Sequence, residues 1–296
     1  MTLVAKGLEG IVAAETRLGE VKGAEGVLFY CGYDINELAG KVSYEEVVHL
    51  LFYNRLPNQV ELDKLTTALR AERELPQGVI DFLKLAPKNA RPIDVMRTAV
   101  SMLGCYDMKR HDVEVGENLA TAIRLVSQIG VVAAYFHRAR QGLELPPVRK
   151  DLSEAAHFLY LMSGEVPSKE AEQTLDVAYV LHAEHGFNAS TFTARVVAST
   201  LSDMYSAISA GIGALKGPLH GGANEGVIHM LQEIGSLENV DAWVEDALAQ
   251  KKKIMGIGHR VYKVLDPRAP HLQKMAIKLT EELGEPKWIR MSERIA

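Results

Sequence analysis

The chain has 296 residues, 47% hydrophobic and 24% charged, a composition that suits one large or two modest globular domains with a sizeable core. Its 33 basic and 38 acidic residues leave a net charge of −5, and its longest lysine run, Lys251 to Lys253, has three members, which argues against a nucleic-acid-binding face. Cys31 and Cys105 have neither the spacing of a disulfide framework nor that of a metal site; they are read as reduced packing residues, with no metal expected, in a cytoplasmic protein. The first ten residues lack the apolar core of a signal peptide, and no stretch is read as reaching the roughly eighteen apolar residues of a membrane span, so no membrane partner is expected.

Strand signals are scarce: residues 26 to 31, after the turn-like Lys22-Gly-Ala-Glu25, predict one small hairpin. From residue 43 almost to the end, amphipathic helix patterns recur. Ser43 followed by Glu46 forms a capping box for a helix ending near Pro57. Pro92 suits the first turn of a helix whose periodic residues Val95, Met96, Ala99, Val100 and Leu103 stop at Gly104. Further helices fit residues 117 to 141, 152 to 163, 168 to 185, 189 to 201, 203 to 215, 224 to 234, 239 to 252 and 270 to 283. The segment 203 to 215 is rich in Ala, Gly and Ser, which predicts a deeply buried or subunit-interface helix. With no repeats and short connections, the fold class is an all-α, multi-layer helical globule.

Three segments place histidines beside small or turn-forming residues. In Leu181-His-Ala-Glu-His-Gly-Phe-Asn-Ala-Ser-Thr191, His182 and His185 stand three apart, on one face of a helix that Gly186 would terminate. His182 is read as a capping or packing residue, and His-x-x-His without a third ligand falls short of a metal site. In Gly217-Pro-Leu-His-Gly-Gly-Ala-Asn-Glu225, His220 precedes a helix expected to start near Asn224. Its glycines let a substrate approach, and the helix dipole favours a neutral ring able to donate a hydrogen bond to a carbonyl or enolate oxygen. In Met255-Gly-Ile-Gly-His-Arg-Val-Tyr-Lys263, backbone N–H groups, His259 and Arg260 lie upstream of Asp266-Pro-Arg268, a combination suited to an anionic ligand with a carbonyl to polarise. The third glycine and preceding strand of a dinucleotide fingerprint are missing.

Taken together and in this order, the three segments resemble the citrate synthase family, of the shorter bacterial or archaeal type, from about Gly7 to the end of the chain. The resemblance implies an all-α fold with a large domain (residues 1–222) and a small domain (223–296) hinged near Gly221-Gly222, and a homodimer. It implies condensation of acetyl-CoA with oxaloacetate in the tricarboxylic acid cycle, with no tightly bound cofactor. Residue by residue, His220 matches the histidine that stabilises the acetyl-CoA enolate and His259 the one that polarises the oxaloacetate carbonyl. His185, Asn188 and Arg268 match oxaloacetate-orienting positions. Ile254, Met255, Gly256, Ile257 and Gly258 match the loop that cradles the CoA adenine.

In the family the catalytic base is an aspartate in a later motif, followed by further arginines and helices, and none of these is assignable before Ala296. The sequence therefore predicts little or no synthase activity for this chain alone, since losing a general base costs about 10² to 10⁴ in rate. A 2-methylcitrate synthase acting on propionyl-CoA, a non-catalytic CoA-binding fragment or pseudoenzyme, and a citrate-cleaving lyase module remain as alternatives, in that order.

Overall fold

The computed structural model describes residues 14–108, 115–257, 262, 264–284 and 286–295. The predicted hairpin is present. Strands β1 (Gly19–Lys22) and β2 (Val27–Tyr30) pair antiparallel, with Gly19 opposite Tyr30, around a turn that Gly26 completes at φ +69°. A third strand, β3 (Tyr33–Asp34), extends the sheet by pairing Tyr33 with Tyr30. Two residues are too few to show an alternating pattern, so this strand was not legible in the sequence.

Among the described residues, everything else regular is helical. Helix α1 (Ile35–Leu38) follows the sheet, and α2 (Tyr44–Tyr53) starts with the predicted capping box: Glu46 N donates to Ser43 Oγ at 3.3 Å and Ser43 N to Glu46 Oε2 at 2.7 Å. Helices α3 (Gln59–Ala71) and α4 (Gln77–Leu85) were not singled out from the sequence, although Asn58 and Glu61 form a second capping box. Helix α5 (Pro92–Tyr106) runs two residues past Gly104. That glycine lies within the helix, and since an added Cβ would lie 3.0 Å from the Tyr205 side chain, it is a packing notch and not a terminator.

Helix α6 (Val115–Gln141) corrects the expectation that nothing here is long and apolar enough to span a membrane. Within its residues Asn118–Gln141 the most apolar 18-residue stretch has a mean hydropathy of 1.6, and half of that stretch is buried. The composition reflects its place in the protein interior: Leu125, Val131, Val132, Ala134 and Phe136 join the core formed with α4, α5, α7 (Glu154–Ser163) and α10 (Met204–Leu215). Its Arg124 donates to Glu72 at 2.8 Å and Asp107 at 2.6 Å.

Helix α8 (Lys169–His182) completes a second core with β2, α1 and α2. Carboxylates tie these helices end to end. Asp176 accepts from the Tyr44 backbone N at 3.0 Å, and Glu45 accepts from Glu154 N at 2.8 Å. Fully buried Arg73 donates to Glu154 and to the Arg149 and Leu152 carbonyls.

Helix α9 (Ala189–Ala198) lies against α10, whose small residues permit the predicted close approach: a Cβ on Gly211 would sit 3.4 Å from the Ser190 carbonyl. Helices α11 (Gly222–Ile234), α12 (Val240–Ala249) and α14 (Lys287–Ile295) share a third core of Met230, Leu231, Ile234, Val240 and Met291. Helix α13 (Ala269–Leu283) sends Leu272 and Met275 into the second core. Both cysteines are free; Cys31 donates weakly to the Leu50 carbonyl, whereas Cys105 is exposed and is not the packing residue expected.

Candidate active site

The first histidine segment differs from its predicted form. Helix α8 stops at His182, so His185 lies beyond it and the two rings do not share a helix face. The reason is local. Glu184 Oε1 accepts from Gly186 N at 2.6 Å, and Gly186 adopts φ +63°, which together build a turn that carries His185 out of the helical path. His182 packs back on its own helix, with Nδ1 2.7 Å from the Ala178 carbonyl, as expected.

From that turn, His185 reaches Tyr262, with Nε2 3.1 Å from the hydroxyl and the rings edge-to-face at 5.6 Å and 67°. Beside them Arg268 donates through Nε and Nη2 to Asp266 at 3.0 and 2.7 Å. Burial acts to raise the Asp266 pKa, but its hydrogen bonds from Arg268 and that residue's charge win and hold the carboxyl below its ordinary value. Among the described residues, no such cation is bonded to Glu184. Burial pushes its carboxyl upward, and its Oε2 is buried against Gly19, where any Cβ would collide, with no hydrogen-bond partner among the described residues. The phenol of fully buried Tyr30 faces the same group, its pKa raised by burial.

Asn188 caps α9, its Oδ1 accepting from Thr191 N at 3.0 Å and from Ser190 Oγ at 2.7 Å. Ser190 Oγ is in turn 3.0 Å from His220 Nε2. The serine has one proton and two acceptors in reach, so its choice sets the His220 tautomer.

His220 sits in the turn between α10 and α11. The helix starts at Gly222 and not near Asn224, because the turn is tighter than predicted: Gly222 N donates to the Gly217 carbonyl at 3.2 Å, and a Cβ there would lie 2.9 Å from that oxygen. Only glycine fits that close backbone approach.

Of the proposed adenine loop, Ile254 and Met255 pack on the third core, Met255 against Gly226. Gly256 turns at φ +88° and Ile257 is half exposed. Gly258 and His259 lie outside the described residues. Among the described residues, no three His, Cys, Asp or Glu side chains are grouped to hold a metal ion.

The chain matches the family described as citrate synthase, C-terminal domain, over residues 7–296. It is 47% identical over 291 residues to citrate synthase 2 of Bacillus subtilis, covering 98% of this chain and 78% of the relative. The chain belongs to the citrate synthase family. A 2-methylcitrate synthase of Mycobacterium tuberculosis is 40% identical over 295 residues, covering 99% of this chain and 74% of the relative. A citrate synthase of Thermoplasma acidophilum, solved as a ternary complex with carboxymethyl coenzyme A and oxaloacetate, superposes with a TM-score of 0.92 at 32% identity, covering 99% of this chain and 77% of that one. Citrate synthases are transferases, and the all-α architecture of this chain agrees with those neighbours.

Within this family frame, sequence reasoning missed Ser190 and Tyr262. Ser190 stands two residues after Asn188, and Tyr262 three after His259, but nothing in that spacing indicates that the first meets His220 and the second His185 across the fold.

Proposed function

We propose that this citrate synthase family chain condenses acetyl-CoA with oxaloacetate, forming citryl-CoA and then citrate and free CoA. The observation that carries this reading is the 3.0 Å contact between Ser190 and His220, which brings the 217–222 turn onto the start of α9, beside Asn188 and the His185 turn. A thioester methyl is a weak carbon acid, so enolisation needs a preorganised donor where charge develops on oxygen. His220 takes that role when Ser190 donates to its Nε2, which leaves Nδ1–H to face the thioester. His259 polarises the ketone of oxaloacetate. His185, Asn188 and Arg268 orient its carboxylates, and Ile254 to Gly258 cradle the adenine. The ligands held by the Thermoplasma relative support the pairing of an acyl-CoA with oxaloacetate.

Residues 1–222 and 223–296 serve as the large and small domains in this reading, supported by the separate core of α11, α12 and α14. A cytoplasmic homodimer is part of the proposal. Helix α9 has no buried residue, and Val196 and Leu201 stand exposed on and just after it, as an apolar face awaiting a second copy would.

The test is oxaloacetate-dependent release of CoA thiol, compared for the 296-residue chain and its His220→Ala and His259→Ala variants. Turnover that both variants abolish supports the assignment. A chain that neither turns over nor binds oxaloacetate overturns it. The 2-methylcitrate synthase relative favours one second reading, with propionyl-CoA as acyl donor; a higher kcat/KM with propionyl-CoA than with acetyl-CoA would establish it.

A further inference from the structure

The start of α5 meets the chain on both sides of the turn that carries His220. Arg91 is the N-cap of α5, Pro92 opens the helix, and Asp94 lies in its first turn, with Asp94 N donating to the Arg91 carbonyl at 2.9 Å. Before the 217–222 turn, Lys216 at the C-cap of α10 donates through Nζ to both Asp94 carboxylate oxygens, at 2.7 and 2.8 Å. After it, Glu225 in the first turn of α11 accepts from Arg91 Nη2 at 2.5 Å. The other charges at hand are Arg97, 3.5 Å from Asp94, and His229, 3.7 Å from Glu225. The four paired side chains are 30% to 52% exposed, so neither pair adds much to global stability, and their consequence is geometric. Helices α5 and α10 both supply the first core and α11 the third, so the Arg91–Glu225 bond crosses between cores beside His220.

We propose that Arg91 is a positioning residue for His220: the Asp94–Lys216 pair ties the near flank of the 217–222 turn to α5, and Arg91 ties the far flank to the same helix start through Glu225. This inference rests on the reading of His220 as the catalytic imidazole. The contact with Ser190 orients the ring, and the two ion pairs set the backbone that delivers it. Inside the turn, His220 N and Gly222 N both donate to the Gly217 carbonyl, at 3.0 and 3.2 Å, so a change in the separation of the flanks is felt at those bonds. A looser turn leaves the imidazole less often where charge develops, which lowers kcat more than it weakens oxaloacetate binding.

Charge reversal tests it, with Arg91→Glu compared with the swapped protein Arg91→Glu/Glu225→Arg. Two readouts are taken. The first is hydrogen exchange at the Gly222 amide of the ligand-free protein, which Arg91→Glu speeds about fivefold by placing two carboxylates together. An added negative charge by itself slows base-catalysed exchange, so faster exchange reports opening of the turn and not a field effect. The second is steady-state kinetics, in which kcat for thiol release falls about fivefold while KM for oxaloacetate stays within about twofold. The swap restores the pair in reverse, and both readouts return to within about twofold of wild type, the remainder reflecting the loss of an acidic residue near the start of α11. An arginine present only for solvation would move neither readout. Unchanged Gly222 exchange in Arg91→Glu overturns the proposal, as does a swapped protein that exchanges as fast as Arg91→Glu. Because exchange needs no substrate, recovery by the swap in a chain that releases no thiol would keep the positioning of the turn and overturn only the catalytic reading of His220.

Discussion

Ser190 Oγ lies 3.0 Å from His220 Nε2 and 2.7 Å from Asn188 Oδ1, so one serine proton serves either the His220 imidazole or the helix cap. The cap does not depend on it, since Asn188 also accepts from Thr191 N. The serine is therefore available to His220 whenever a ligand draws on the opposite ring nitrogen.

Replacing Ser190 with alanine should lower kcat for thiol release about three- to tenfold with little change in thermal midpoint, because one hydrogen bond to a half-buried ring is lost and the cap remains. Threonine at this position should recover part of the rate. Equal losses in Ser190→Thr and Ser190→Ala would count against the hydroxyl as the operative group.

Among the described residues, Arg73 and Glu154 form the most buried ion pair, with the two side chains 0% and 8% exposed. Glu154→Leu strands the guanidinium, so the unfolding free energy should fall by about 3 to 5 kcal/mol. Urea titration monitored by circular dichroism measures it. A loss under 1 kcal/mol would mean that water reaches Arg73 in the variant.

His157 is 2% exposed, with Nε2 buried and without a hydrogen-bond partner among the described residues, and burial followed by the Arg73 charge drives its pKa down to about 3. The unfolded chain binds its proton near pH 6.5. Between about 6.5 and 3 the unfolded state thus holds a proton that the folded state refuses, and stability falls with pH by up to about 1.4 kcal/mol per unit. Above that window the contribution is absent. His157→Gln should flatten the acid limb of stability between pH 7 and 5; an identical slope in both proteins would exclude His157 as its source.

Asp176 has the opposite sign. Burial first, and then Glu45, Glu172 and Glu46, raise its carboxyl to about 6 against the bond from Tyr44 N, whereas the unfolded group titrates near 3.9. The folded state holds the extra proton between those values, so stability declines as pH rises from about 4 to 6 and the penalty persists above. Asp176→Asn keeps the acceptor for Tyr44 and removes the charge. It should raise the thermal midpoint at pH 8, by about 1 kcal/mol in free energy after allowance for solvent screening, and leave it nearly unchanged below the unfolded group's pKa of about 3.9.

Helix content and most helix starts were legible in the sequence because they depend on neighbours within a few residues. The Ser43–Glu46 box, Pro92 at a first turn and the 3.6-residue periodicity are all local, and the structure reproduces them. Where helices ended was less legible. Gly104 looked like a stop but is a notch for Tyr205, and the helix through His182 ended early because Glu184 folds back on Gly186. Helix α6 carries Arg124 within its apolar length, and the fold neutralises that charge by pairing it with Glu72 and Asp107, which no pattern along the helix indicates.

The sequence by itself determined the family, the all-α class and the identities of the candidate site residues, since each rests on residue types in a fixed order along the chain. Only the tertiary structure decided which of those residues meet. Ser190 joins His220 and Tyr262 joins His185 through hydrogen bonds that span 30 and 77 residues. A hydrogen bond needs its partners within about 3 Å and correctly oriented. No local pattern encodes that condition; it is met by the packing of α9 on α10 and by the approach of Tyr262 to the turn after α8.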